Sequence, residues 1–303
     1  MKTCIIITGP TAIGKTPLAI EVAKHFSTQI ISADSRQCFQ ELDIGVSKPS
    51  ADQLLSVPHY FINSHSIHQT VSAATFEEYA LTAVNNIFLN SNYAVMAGGT
   101  GLYIKAFCEG LDFIPLSNET IRKEIIESYN RKGLVWLQNE VKKNDYVFFR
   151  SGEATNPNRL MRALEVFLST GRSITSFQIK NKKKRDFNII KIGLELDRKE
   201  LYNRINNRVE TMISSGLLDE VRSLQDFKHL NALQTVGYRE LFSYLEGITS
   251  FDQAVELIKQ NTRHYAKRQL TWFRKEEDMK WINALSEETL VRETMRYLEM
   301  KSE

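Results

Sequence analysis

Apolar positions change their period along the chain, and each change marks a new element. Cys4 to Thr8 is a continuous, largely β-branched run that stops at Gly9 and Pro10, the pattern of a strand buried on both faces. From Lys15 to Phe26 the residues Leu18, Ala19, Val22, Ala23 and Phe26 recur at helical spacing. Pro17 falls in the first turn of that helix, where a missing N–H costs little. Gln29 to Ala33 predicts a second buried strand. Ala73 to Leu89 repeats Phe76, Tyr79, Ala80, Ala83, Val84 and Ile87 with a helical period, and Tyr93 to Ala97 predicts a third strand leading into Gly98-Gly99-Thr100-Gly101. Strands alternating with helices predict an α/β fold, a parallel sheet covered on both faces.

After Pro115 the pattern is helical alone. Asn118 is placed to cap a helix through about Arg131, closed by Gly133, and Pro157 opens another that Gly171 ends. Lys180 to Arg185 reads as an exposed basic loop. A strand at Ile189 to Leu196 follows, then a long helix capped by Asp197, and Asp252 to about Lys275 is one further helix. The predicted organisation is a core of residues 1–116 and 188–303, its last third returning as helices, with a helical insertion domain over residues 117–187.

At 303 residues the chain is long enough for a large domain and a smaller one. With 42% hydrophobic and 25% charged residues it has the composition of a soluble globular protein. No apolar run approaches the ~20 residues that span a bilayer. Met1-Lys2-Thr3 leads straight into the first strand without room for a signal peptide, so a cytoplasmic protein with no membrane partner is expected. Cys4, Cys38 and Cys108 lack CxxC spacing and suggest neither a disulfide framework nor a zinc site. A net charge of +3 does not announce a nucleic-acid partner by itself, so the placement of charge must carry that argument. On the helix from Asp252, Lys259, Arg263 and Lys267 fall at i, i+4 and i+8, with His264, Arg268 and Trp272 in the adjacent row. Such a stripe suits RNA phosphates and splayed bases, and equally suits a solvated charged face with Trp272 in the core.

The most specific chemistry lies near the N-terminus. Gly9-Pro10-Thr11-Ala12-Ile13-Gly14-Lys15-Thr16 matches GxxxxGK[ST] between a predicted strand and a predicted helix, as a phosphate-binding loop requires. Its backbone N–H groups and the helix N-terminus attract an anion, Lys15 adds a full charge and the Thr16 hydroxyl can hold Mg²⁺. The core is therefore P-loop NTPase-like, and the ligand a di- or triphosphate. The reaction stays open between an ATP-dependent small-molecule kinase and an enzyme that uses a different diphosphate. Motor and switch NTPases place an Asp at the end of a further strand, whereas Tyr93 to Ala97 ends in Gly98-Gly99. The strand that ends in a carboxylate is Ile30 to Asp34, and the C-terminal edge of a parallel strand is where ligands bind. Asp34 could equally serve as a helix N-cap.

Further blocks then align in order: Asp34 to Gln37, Asp43-Ile44-Gly45 with Lys48-Pro49, Gly98 to Tyr103, and Asn156-Pro157-Asn158-Arg159 through Arg162-Ala163-Leu164-Glu165. Two late blocks follow, Gln234-Thr235-Val236-Gly237-Tyr238-Arg239 and Lys267-Arg268-Gln269-Leu270-Thr271-Trp272-Phe273-Arg274. With the P-loop, this ordered set resembles the bacterial tRNA dimethylallyltransferases, also called tRNA isopentenyltransferases, over nearly the whole chain. The resemblance implies transfer of the dimethylallyl group from dimethylallyl diphosphate to the exocyclic N6 amine of the tRNA adenosine 3′-adjacent to the anticodon. It implies that the pyrophosphate sits on the P-loop, with Mg²⁺ held through Thr16 and Arg208 as a further ligand. Asp34 is then the general base, Thr100 bonds the same reacting centre, and Lys15 and Thr16 serve the departing pyrophosphate. By the same resemblance the anticodon stem-loop meets Asp34, Ser35, Arg36, Gln37 and Thr100, with Ser35 and Gln37 reading the base. Arg122 and Asn158, Arg159, Leu160, Met161 and Arg162 would contact it from the insertion, and both late blocks from the core. A monomer is expected, closing over the stem-loop between core and insertion. Phe39 stands where the family commonly has Tyr, and Val46-Ser47 where it often has Thr-Ala or Thr-Gly. Within the family, an adenylate isopentenyltransferase acting on free AMP, ADP or ATP is the alternative; the predicted insertion, Lys180 to Arg185 and the basic helix argue against it.

Overall fold

The computed structural model describes residues 1–115, 118–179 and 182–302. The N-terminal apolar run forms β1 (Thr3–Thr8), every residue of which is buried. It feeds α1 (Lys15–His25), β2 (Ile30–Ser32), α2 (Ala51–Ser56), β3 (His59–Tyr60), α3 (Ala73–Ile87), β4 (Tyr93–Gly98) and α4 (Gly101–Glu109). A helical segment follows, α5 (Glu119–Asn144), α6 (Tyr146–Phe149) and α7 (Pro157–Thr170). The chain then returns through β5 (Asn188–Glu195), α8 (Arg198–Ser214), α9 (Leu217–Ser223), α10 (Tyr238–Leu245), α11 (Phe251–Phe273), β6 (Met279–Asn283) and α12 (Glu287–Ser302).

The described strands form one parallel sheet in the order β3-β2-β4-β1-β5-β6. β1 is central: Thr3 lies opposite Tyr93 on one side and Asn188 on the other. Because side chains alternate across a strand, Cys4 and Ile6 enter one apolar layer with Ile31, Met96 and residues of α3, α10 and α11, whereas Ile5 and Ile7 enter the other with Val95, Ile192, α1 and α12. This double burial explains why β1, β2 and β4 read as unbroken apolar runs. No helix among the described residues is long and apolar enough to cross a membrane.

The final third departs from the expected all-helical return, because β6 adds an edge strand beside β5. Its Met-Lys-Trp-Ile-Asn sequence is only partly buried, so it carries no continuous apolar signal. Two compact units are present: Met1–Cys108 with the chain from Lys184 onward, and Glu109–Lys183. The expected boundaries of 117 and 187 thus fall at 109 and 183, and the residues on either side of the expected first boundary, 116 and 117, lie outside the described residues. The second unit closes around Leu137, Val141, Phe148, Leu160, Ala163, Leu164 and Val166. Gly133, at φ 76°, breaks α5 into two helical segments rather than ending it. Asn156 Oδ1 caps α7 by accepting from the N–H groups of Asn158 (3.1 Å) and Arg159 (3.3 Å), Pro157 opens the helix, and Gly171 closes it at φ 70°.

The basic loop expected at 180–185 is corrected at its last residue. Residues 180 and 181 lie outside the described residues, and Arg185 belongs to the core. Its guanidinium donates to the carbonyls of Phe107 (2.7 Å) and Ala106 (2.9 Å) and pairs with the Glu77 carboxylate at 2.9 Å, with both side chains about nine-tenths buried.

Candidate functional site

The loop after β1 curls because Gly9 allows it: its φ is +152°, and a Cβ there would come within 2.9 Å of the Leu194 carbonyl oxygen. The turn delivers Lys15 and Thr16 to the N-terminus of α1, where unpaired N–H groups favour an anion. Lys15 Nζ donates to Pro10 O at 2.8 Å. Gln269, buried on α11, holds the loop from behind: its Oε1 accepts from Thr11 N and its Nε2 donates to Gly99 O, each at 2.9 Å. Sequence reasoning placed Gln269 among RNA contacts, and the structure places it as the brace between the P-loop and the end of β4.

A cavity of about 280 Å³ opens in front of the loop, bordered by Lys15, Thr16, Asp34, Gln37, Arg208 and Tyr265. Desolvation pulls Lys15 down to about 7, with the neighbouring Arg208 charge adding to the fall and Asp34 opposing it. Burial also lowers Arg208, again against Asp34. Arg208 Nε donates to Ser47 Oγ at 2.7 Å, which fixes its direction. Asp34 Oδ1 accepts from the N–H groups of Arg36 (2.8 Å) and Gln37 (3.3 Å), so the carboxylate holds a turn over residues 35–38, and no helix starts there for it to cap. Among the described residues, Oδ2 has no protein hydrogen bond. Thr100 Oγ1 accepts from Ser35 N at 3.1 Å and is also bonded to Tyr265, whose phenol burial and then the Asp34 charge push up to about 12. Tyr265 is therefore a neutral hydrogen-bonding group in the pocket. Sequence reasoning missed it, although it lies one helical turn before Gln269 on the same face of α11.

The Thr16 hydroxyl is a hard oxygen donor, and among the described residues no group of three or more His, Cys, Asp or Glu forms a metal cage. That donor fits an ion of the Mg²⁺ type, which keeps most of its shell as phosphate oxygens and water.

The other predicted contacts separate into exposed and internal ones. Ser35 and Arg36 are partly exposed. The Gln37 amide is committed inside the protein: Oε1 accepts from Ser32 Oγ at 3.0 Å, and Nε2 donates to Val46 O (3.3 Å) and Ser47 O (2.9 Å). In the second unit Leu160 is a core residue and Met161 packs beside it, while Arg122 (3.8 Å) and Arg162 (3.2 Å) share the buried Glu165 carboxylate. Arg159 pairs with Glu153, and Asn158 is exposed. In the first late block, Gln234 and Arg239 are exposed and Thr235 and Val236 partly so. Gly237 and Tyr238 are buried, and the Tyr238 hydroxyl donates to Glu220 at 2.6 Å. In the second late block Lys267, Arg268, Thr271 and Arg274 are exposed, Leu270 and Trp272 pack inward, and Phe273 is core. Leu160, Tyr238, Gln269 and Phe273 are thereby corrected from RNA contacts to internal supports. The cationic stripe is shortened too: Lys259 pairs with Glu210 and Glu256, each at 2.6 Å, and Arg263 donates to Asn206.

Comparison with known proteins identifies the family. The family model described as IPP transferase matches residues 37–276. A tRNA dimethylallyltransferase of Christiangramia forsetii is 48% identical, over 92% of this chain and 92% of its own length. Another, tRNA dimethylallyltransferase 1 of Bacteroides thetaiotaomicron, is 43% identical over 98% of this chain and 96% of its own. Among solved structures, the full-length tRNA isopentenylpyrophosphate transferase of Bacillus halodurans superposes with a TM-score of 0.73 at 32% identity, covering 99% of this chain and 97% of that one.

Proposed function

Because the chain belongs to the IPP transferase family, we propose that it transfers the dimethylallyl group of dimethylallyl diphosphate to the exocyclic N6 amine of the adenosine 3′-adjacent to the anticodon in tRNA, releasing pyrophosphate. One observation carries the proposal at the level of chemistry: Lys15, Thr16 and Arg208 converge with Asp34 on a single cavity. The cations suit a departing pyrophosphate, and Asp34 suits a proton leaving the attacking amine.

The pyrophosphate lies against the N-terminus of α1, with Lys15 and Arg208 neutralising charge as the C–O bond lengthens. Thr16 would hold Mg²⁺ on the same phosphates, and the ion when bound adds further positive charge to the leaving group. The adenine amine is a weak nucleophile because its lone pair is delocalised into the ring. It forms the new N–C bond while Asp34 Oδ2 takes its proton, and the C–O bonding pair leaves with pyrophosphate. Asp34 Oδ1, held by two backbone N–H groups, keeps the carboxylate oriented. Thr100 and Tyr265 offer hydroxyls beside the same centre. To arrive there the target base must be extruded from its loop. The exposed cations Lys267 and Arg268 on α11 and Arg274 just past its end, with Arg239 and the insertion's Arg122, are the tRNA contacts that exposure supports. The enzyme works as a cytoplasmic monomer.

Incubation with labelled dimethylallyl diphosphate, Mg²⁺ and either bulk tRNA or AMP tests the reading, with ATP added to parallel samples. Label in tRNA, with ATP competing for the donor site but not consumed, is expected. Label in AMP alone would identify a free-nucleotide enzyme, and stoichiometric ADP formation a kinase.

A further inference from the structure

The Asp43-Ile44-Gly45 block and the buried half of Gln234–Arg239 have no task in the mechanism above, yet they meet at one carboxylate. Glu220, on α9, accepts through Oε2 from Asp43 N (3.1 Å) and Ile44 N (2.7 Å) and through Oε1 from Gly45 N (3.0 Å) and the Tyr238 hydroxyl (2.6 Å). Three consecutive backbone N–H groups closing on one anion form a nest, and charge-assisted bonds of this kind are stronger than neutral ones. The approach is close enough that a Cβ on Gly45 would lie 2.6 Å from the Tyr238 ring. Burial, followed by the Glu220 charge, raises the Tyr238 phenol far above its usual value, so it remains a donor.

The gripped segment does not end at Gly45. It runs directly into Val46, Ser47, Lys48 and Pro49, which form a wall of the phosphate cavity. Ser47 sits at φ 46°, a left-handed conformation that a non-glycine residue keeps only when its surroundings impose it. Three grips impose it: Glu220 before the turn, Gln37 on the carbonyls of Val46 and Ser47, and Lys48 Nζ on the Phe39 carbonyl at 2.6 Å. From that turn Ser47 Oγ accepts from Arg208 Nε.

We infer that Glu220, with Tyr238, is a positioning residue for the reaction: it holds residues 43–47 so that Ser47 aims the Arg208 guanidinium at the pyrophosphate. The inference rests on the proposed role of Arg208 and adds the means by which Arg208 is directed. Glu220 itself does not line the cavity, so its influence on the diphosphate passes through the loop.

Binding of inorganic pyrophosphate in the presence of Mg²⁺, read by calorimetry on the full-length protein, tests it through a double-mutant cycle. Glu220→Gln replaces one acceptor oxygen with an amide donor facing backbone donors and releases part of the nest. Arg208→Ala and Glu220→Gln are each expected to weaken binding roughly tenfold or more, in the range for a charge-assisted contact. The double variant is expected to bind no more weakly than Arg208→Ala alone, because both changes act on one contact. Multiplicative losses overturn the inference while leaving the donor-site reading standing. Arg208→Ala with wild-type affinity overturns both the Arg208 assignment and the inference. Tyr238→Phe, which keeps the core ring and removes one hydroxyl, is the second arm should Glu220→Gln fail to fold. It should weaken pyrophosphate about two- to fivefold with the same lack of additivity, and multiplicative losses there would equally overturn the inference.

Discussion

Asp34 divides its two oxygens between structure and chemistry, and the division makes its role separable by experiment. Asparagine retains Oδ1, the acceptor for Arg36 and Gln37, so Asp34→Asn should fold normally and bind pyrophosphate within a few-fold of wild type. It cannot take a proton, so single-turnover transfer with saturating tRNA should fall by about 10² to 10⁴; an unchanged rate would remove Asp34 from the chemistry. Lys15 makes a prediction about pH. Its ammonium titrates at about 7 in the ligand-free protein, chiefly through desolvation and the nearby Arg208 charge, and a bound polyanion must raise that value. Below pH 7 the lysine is already charged. Above it, binding takes up a proton, so pyrophosphate affinity should decline by up to about tenfold per pH unit until the bound-state value is passed. Calorimetry in buffers of different ionisation enthalpy should register the proton uptake, and Lys15→Ala should remove the lysine's share of the slope and the uptake, leaving only what pyrophosphate's own ionisation contributes.

α11 shows what a helix can do with two faces. Its exposed side carries Lys267 and Arg268, with Arg274 just past its end, and its buried side carries Tyr265 to Thr100 and Gln269 to the P-loop. Gln269→Leu should leave Thr11 N and Gly99 O without the amide, costing about 1–3 kcal/mol for each group left unsatisfied. Urea unfolding would measure that loss, and pyrophosphate affinity should drop with it; a variant as stable as wild type would show that the brace is dispensable. The same helix shows how far sequence carries. Its length and period were legible, as were α1, α3, α7 and the strands β1, β2, β4 and β5, because each buries a continuous face. β3 and β6 were not, being short edge strands half open to solvent. The P-loop, Asp34 and Arg208 were found as a set by motif and ordered resemblance. The inward duties of Gln269, Tyr238 and Leu160 were not, since an aligned block identifies a residue without saying which way its side chain points. Nor did spacing reveal that Lys259 is charge-paired with Glu210, or that Arg263 is hydrogen-bonded to the Asn206 amide, both on α8.

At the scale of the molecule, the sheet is assembled from two stretches of chain with the insertion between them, and Arg185 secures the point of re-entry. Replacing it with alanine removes a buried ion-pair partner from Glu77 and the donors for the carbonyls of Ala106 and Phe107, a change that should cost about 3–5 kcal/mol. Chemical denaturation should report that loss in the transition of the core, whereas the affinity of the folded protein for pyrophosphate should be retained. The strand order has a further consequence, for synthesis. β1 leaves the ribosome well before its second neighbour, β5, which is not translated until the whole insertion has been made. Throughout that interval the nascent chain holds a β-branched central strand with one edge unprotected, a template for intermolecular pairing. The helical insertion, whose contacts are local, can fold during the wait, while the core must postpone its costliest loop closure. Translation stalled before Asn188 should therefore yield fragments that aggregate or require chaperone capture, and the full-length product should escape that fate only once β5 has sealed the edge.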